Sequence, residues 1–132
     1  MYPYAQLRGA NVLGTITAMS LCEIGKPKRF VFVSSTSVLD TEHYVRLSDS
    51  ILEKGGAGIM ESDDLQGSRE NLPTGYGQTK WVSEQLVMEA GRRGLHGAII
   101  RPGYIVGHSA TGGNCSILLV NAILTSPSGK YG

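Results

Sequence analysis

A chain of 132 residues with a net charge of +1 and 17% charged residues has room for one small domain, and its field is too weak to draw in nucleic acid or an anionic membrane surface. Its two cysteines, Cys22 and Cys115, stand far apart without a companion cysteine or histidine cluster, which gives no support to a disulfide framework or a structural zinc and fits a reducing compartment. No apolar run is long enough to cross a bilayer and the first residues lack a basic-then-apolar leader, so a soluble, cytoplasmic protein is expected.

In chain order, Tyr2, Pro3 and Tyr4 read as a turn or loop ahead of Arg8. Asn11 is placed to cap the helix that follows. In that helix Val12, Ile16 and Met19 recur at helical spacing, Leu13, Leu21 and Ile24 widen the apolar side, and Gly25-Lys26-Pro27 makes the stop. Cys22 on this helix reads as a small buried hydrophobe. Phe30, Val31, Phe32 and Val33 then follow one another without alternation, the pattern of a parallel strand covered on both faces. From Ser35 to about Tyr44 a serine-rich and acidic loop leaves the strand end, after which Leu47, Ile51 and Leu52 allow a short helix ended by Gly55-Gly56.

The polar stretch 57–75 is a long connection that serves either as a lid or substrate wall or as a solvated insertion, and its Glu61, Asp63 and Asp64 read as a solvated acidic turn. The central helix is predicted from Thr74 or Tyr76 to Arg92, with Gly94 at its end. Its Val82, Leu86 and Ala90 should face the sheet and its Glu84, Gln85 and Glu89 the water, with Trp81 as a packing residue. Ala98-Ile99-Ile100 begins another buried strand running toward Val106, and Arg101 should pair locally or cap the sheet edge. Two strands joined by a helical crossover predict a right-handed parallel unit. His43, His96 and His108 show no metal spacing, and no metal is expected. The apolar run Ile117-Leu118-Leu119-Val120 reads as a buried segment, an amphipathic piece or an exposed unstructured end.

The chemistry is expected at Tyr76 and Lys80. Four positions apart on a helix, they lie on one face. An ammonium near a phenol favours the phenolate and lowers its pKa, as a neutral-pH acid built from tyrosine requires. Serines close the first strand and Arg101-Pro102-Gly103 closes the second, so hydroxyls and a phenol gather at the carboxyl edge of a parallel sheet, where open α/β folds place their sites.

Asn11-Val12-Leu13-Gly14-Thr15, Ser34-Ser35-Thr36-Ser37-Val38, Tyr76-Gly77-Gln78-Thr79-Lys80 and Arg101-Pro102-Gly103 together resemble the extended short-chain dehydrogenase/reductases. More narrowly, the stretch from Tyr2-Pro3-Tyr4 to Arg8, Ile59-Met60-Glu61-Ser62-Asp63-Asp64-Leu65, and Arg101 through Gly107 look like the terminal thioester reductase domain of fungal alpha-aminoadipate reductases, over about residues 2 to 113. The resemblance implies an α/β, partial Rossmann-like three-layer sandwich with parallel strands. Residues 1–113 would be the central and catalytic part of an NAD(P)-binding domain and residues 114–132 a divergent tail. It implies an oxidoreductase that uses NADPH to reduce an aminoadipyl thioester, carried on a carrier domain's phosphopantetheine arm, to aminoadipate semialdehyde in lysine biosynthesis.

By the same motifs, Tyr76 is the proton donor, Lys80 holds the cofactor ribose and lowers the tyrosine pKa, and Ser35 positions the substrate oxygen, with Thr36 as the alternative hydroxyl. Asn11 falls at a position with a structural or proton-relay role, and Pro102 and Gly103 lie near the nicotinamide. No glycine-rich turn follows a strand ahead of Asn11, so the phosphate-binding half of the family pattern is missing. The chain is therefore expected to be a fragment, inactive or nearly so alone, with strand edges and apolar helix faces uncovered. Another extended short-chain reductase or epimerase, or a noncatalytic nucleotide-binding-like protein, is the alternative reading. No oligomeric state is implied.

Overall fold

The structure, a computed structural model, describes residues 2–103, so the expectations for His108, for the strand's continuation through Val106 and for the tail 114–132 fall outside the described residues. Helical structure begins at once. Helix α1 (Tyr4–Arg8), a π turn (Gly9–Leu13) and helix α2 (Gly14–Cys22) run into one another, because Arg8, Gly9, Leu13 and Gly14 at the junctions all hold right-handed helical angles. The backbone N–H of Gly14 donates to the carbonyl of Gly9, which closes the wider π ring.

This corrects two expectations: Tyr4–Arg8 is helix rather than loop, and Asn11 lies inside the helical run rather than capping it. Pro3 supplies the extended residue before the first turn, at φ −69° and ψ 158°. Its carbonyl accepts from Gln6 and Leu7, and no helix breaker follows before the π turn. Cys22 closes α2 only partly buried.

Strand β1 (Phe30–Val33) pairs in parallel with strand β2 (Gly97–Ile100), in a register that sets Phe30 opposite Gly97 and Val33 opposite Ile100. Between them run a 3₁₀ turn (Thr36–Leu39), helix α3 (Glu42–Glu53), a second 3₁₀ turn (Gln66–Ser68) and helix α4 (Gly75–Arg92). The parallel crossover is as predicted. Phe32, Val87 and Ile99 form one core, with Met19, Phe30 and Met88 packed against it, so α2 and α4 lie on the same sheet face. The other face of β1 is open among the described residues: Val31 is 54% and Val33 56% exposed. Coverage of both faces is thus not supplied by these residues, and Leu13, Ile16, Leu21 and Ile24 are exposed as well.

A second core joins Val38, Tyr44 and Leu65, with Leu47, Ile59 and Trp81 packed around it. It takes in Ile59 and Leu65 of the stretch 57–75, which is therefore anchored to the fold at a few points while most of its residues stay exposed. Leu65 and Ser68 are fully buried, and Trp81 Nε1 donates to the Leu65 carbonyl at 2.8 Å. Of the acidic turn, Glu61 and Asp64 are exposed as expected, whereas Asp63 is half-buried and one of its carboxylate oxygens accepts from the Leu65 N–H at 2.8 Å and also from the Tyr44 hydroxyl. The predicted short helix is α3, which opens earlier than expected, directly after the extended Thr41, and is followed by Gly55 at φ +76°.

Helix α4 begins as predicted, with Thr74 Oγ1 accepting from the Gly77 N–H at 3.0 Å. Gly94, at φ +106°, follows its end. Its buried stripe differs from the expectation. Gly77, Thr79, Ser83, Glu84 and Val87 are the buried residues, so Glu84 faces inward. None of the helices among the described residues is long and apolar enough to cross a membrane.

Candidate active site at the strand ends

Pairing continues past the strands. Ser34 N–H donates to the Ile100 carbonyl at 2.7 Å, and Thr36 N–H donates to the Pro102 carbonyl at 3.2 Å. The segments Ser34-Ser35-Thr36 and Arg101-Pro102-Gly103 therefore leave the sheet side by side. Ser35, Thr36, Ser37, Leu39, Asp40 and Gly103 line a cleft of about 310 Å³. Ser35 is extended and caps the 3₁₀ turn, its hydroxyl oxygen accepting from the Ser37 N–H at 3.1 Å and donating to Ser37 Oγ at 3.0 Å. Ser35 and Thr36 both reach the cleft, so the geometry leaves either hydroxyl in place.

Tyr76, Lys80 and Asn11 form a second group. Lys80 Nζ donates to the Val33 carbonyl at 2.8 Å and lies 5.0 Å from the centroid of the Phe32 ring and 5.6 Å from that of Tyr76. The same-face expectation for Tyr76 and Lys80 is met. Burial pulls the Lys80 pKa below the ordinary lysine value, and the charge of Glu84, one turn further along α4, acts in the opposite direction. Asn11 spends its side chain on α4: Nδ2 donates to Thr79 Oγ1 at 2.9 Å, and Thr79 Oγ1 donates to the Tyr76 carbonyl at 2.8 Å. The Asn11 carbonyl accepts from Thr15 Oγ1 at 2.6 Å and from Ser83 Oγ at 3.1 Å. Asn11 thus ties the π turn to the first turns of α4.

The two groups meet through glycines that flank Tyr76. A Cβ on Gly77 would lie 3.0 Å from the Ser37 carbonyl oxygen, and one on Gly75 would lie 2.4 Å from the backbone nitrogen of Tyr4. The absence of a side chain at Gly75 lets α4 begin against the chain entering α1, and at Gly77 it eases the approach to the cleft wall. Arg101, expected at the sheet edge or in a local pair, is instead buried with Glu84, seventeen positions earlier.

The Glu84–Arg101 pair, Thr79 and Gly75 were missed by sequence reasoning. Thr79 carries the one usable signal, since it follows Tyr76 by three positions and so lies close to the same helix face.

Two parallel strands, hydroxyls following the first, and a crossover helix presenting tyrosine and lysine at the strand ends define an open α/β domain of Rossmann-like type. A profile of the Male sterility protein family of NAD-binding domains matches residues 1–126, and the chain belongs to that family. L-2-aminoadipate reductase of Schizosaccharomyces pombe is 63% identical over 112 residues, covering 85% of this chain and 8% of that protein. The L-2-aminoadipate reductase large subunit of Penicillium chrysogenum is 61% identical over the same shares. Glycine betaine reductase ATRR of Emericella nidulans is 40% identical over 99% of this chain and 10% of its own length. Among solved structures, the terminal R domain from the myxalamid PKS-NRPS biosynthetic pathway matches with a TM-score of 0.68 and 40% identity, over 87% of this chain and 26% of that one. The chain spans about a tenth or less of the length of these curated relatives.

Proposed function

We propose that this chain supplies the proton-donating, carbonyl-orienting segment of an NADPH-dependent thioester reductase, acting in the cytoplasm on an aminoadipyl group carried by the phosphopantetheine arm of a carrier domain. The observation that carries this reading is Lys80, held between the Tyr76 ring and the Val33 carbonyl two residues before Ser35. The names of the fungal relatives support the acyl group, and the R domain of a PKS-NRPS pathway supports carrier-bound delivery.

The residues present fit the nicotinamide–ribose end of such a cofactor. Lys80 gives one hydrogen to Val33, leaving others for a ribose hydroxyl. Gly103 offers no side chain to crowd a ring beside Pro102. The sequence up to Asn11 holds no glycine-rich turn for a pyrophosphate, so that part of the cofactor needs another segment, and the 132-residue chain by itself is inactive in this reading.

When bound, NADPH supplies the hydride. Ser35, its one hydroxyl hydrogen turned from Ser37 Oγ, donates a hydrogen bond to the thioester oxygen, and Tyr76 delivers a proton to it as negative charge grows there. Lys80 orients the ribose and keeps a positive charge beside the phenol. Collapse of the adduct breaks the C–S bond, the carrier thiolate leaves with the proton from oxygen, and the aldehyde is freed.

The test is a chimera in which the matched 112 residues of this chain replace their counterparts in the Schizosaccharomyces pombe enzyme. NADPH consumption coupled to aldehyde release from a carrier-bound aminoadipyl thioester supports the reading. A folded chimera that turns over free sugar nucleotides or steroids but no carrier-bound thioester overturns it.

A further inference from the structure

Glu84 and Arg101 form the one ion pair buried among the described residues, with side chains 0% and 2% exposed. Arg101 Nε lies 3.0 Å from each Glu84 carboxylate oxygen, and its terminal nitrogen reaches one of them at 2.6 Å. Such a pair is a poor choice if only stability matters. Desolvating two ions is costly, and apolar residues of similar volume often do as well or better. A fork against a carboxylate does supply a fixed direction and distance, which apolar contacts do not.

The location gives that direction a use. Lys80 ties one turn of α4 to Val33 at the end of β1, and Glu84 ties the next turn to Arg101, directly after β2. Val33 and Ile100 are register partners, so the two anchors stand on neighbouring strand ends. Four residues of helix rise about 6 Å. With both anchors made, α4 is held against sliding along the sheet and against rolling about its axis.

We propose that Glu84 and Arg101 are positioning residues whose forked pair fixes the slide and roll of α4, and thereby seats the Lys80 amine against the Val33 carbonyl and the Phe32 ring at the end of β1. The inference rests on the reading of Tyr76 and Lys80 as a working pair, but its test needs no turnover. In the 132-residue chain with ¹³C-dimethylated lysines, the Lys80 methyl signal, assigned by its loss in Lys80→Arg, should be shifted upfield by the Phe32 ring, beyond the constant share from Tyr76 on the same helix.

In a folded Glu84→Met/Arg101→Met double variant the shift should fall to that of a Phe32→Leu reference, and in Arg101→Lys, which keeps the charge but not the fork, it should fall about halfway to it. A folded double variant that keeps the parent shift overturns the proposal. So does unfolding of both variants, which would make the pair a stability element. Turnover retained by a Tyr76→Phe chimera would sink the functional reading and leave this result standing.

Discussion

Lys80 and Val33 are joined by a hydrogen bond of 2.8 Å from the amine to the strand-end carbonyl. That bond turns a flexible side chain into a fixed point beside Tyr76, at the cost of partly burying a cation. Its consequences for stability, and those of the other fixed points around α4, can be measured one at a time.

Burial holds the Lys80 pKa below its ordinary 10.5, with Glu84 opposing. Between the folded value and 10.5 the unfolded chain binds more protons at this site than the folded one, so stability rises with pH through that window. Lys80→Met should therefore be no less stable than the parent at pH 7, within about 0.5 kcal/mol. The parent should gain on it as the pH climbs. Urea unfolding at a series of pH values checks this, and a variant clearly less stable at pH 7 contradicts it.

Burial and the hydrogen bond to Asp63 push the Tyr44 pKa well above the usual tyrosine value. A group raised in this way stabilises the fold fully below the unfolded tyrosine value and loses that contribution as pH rises toward the folded one. Tyr44→Phe should cost about 1.5–3 kcal/mol at neutral pH, as expected for a hydrogen bond to a charged group. The difference should hold steady up to about pH 10 and shrink above it.

Alanine is the better helix former by about 1 kcal/mol, yet at Gly75 it should destabilise. Its Cβ would sit 2.4 Å from Tyr4 N and 2.5 Å from Pro3 C, both backbone atoms, whereas at Gly77 the nearest atom is 3.0 Å away. Overpacking of this kind costs about 1–3 kcal/mol. Thermal melts should rank Gly75→Ala well below Gly77→Ala, and equal midpoints would contradict the close approach.

Asn11 acts through Thr79, and a double-mutant cycle reads that link. Asn11→Ala and Thr79→Val should each destabilise, while the pair together falls short of the sum by about 1 kcal/mol. Strict additivity would mean that the chain from Asn11 to the Tyr76 carbonyl carries no coupling.

Strand and helix periodicity made the parallel unit readable: the apolar run at Phe30 to Val33, the capped helix at Thr74 and the strand at Ala98 all stand where their local sequence puts them. The facing of Tyr76 and Lys80 was readable because it follows from helical spacing alone. Asn11 was misread because a cap and a tertiary hydrogen bond call for the same side chain, and only the position of α4 decides between them. Glu84 and Arg101 were misread for a related reason. A charge reads as wet until its partner, seventeen positions away, is seen. The inward tilt of Asp63 and Leu65 depends likewise on Tyr44 and Trp81, which local pattern does not connect to them.

The central claim is that the Tyr76 hydroxyl delivers the proton. Its most direct test is kcat for carrier-bound aminoadipyl thioester reduction by the Schizosaccharomyces pombe chimera, with and without Tyr76→Phe. A folded variant should lose about 10²–10⁴-fold in kcat, the usual contribution of a general acid, with KM little changed. A folded Tyr76→Phe chimera that keeps kcat within a few-fold of its parent would contradict the claim.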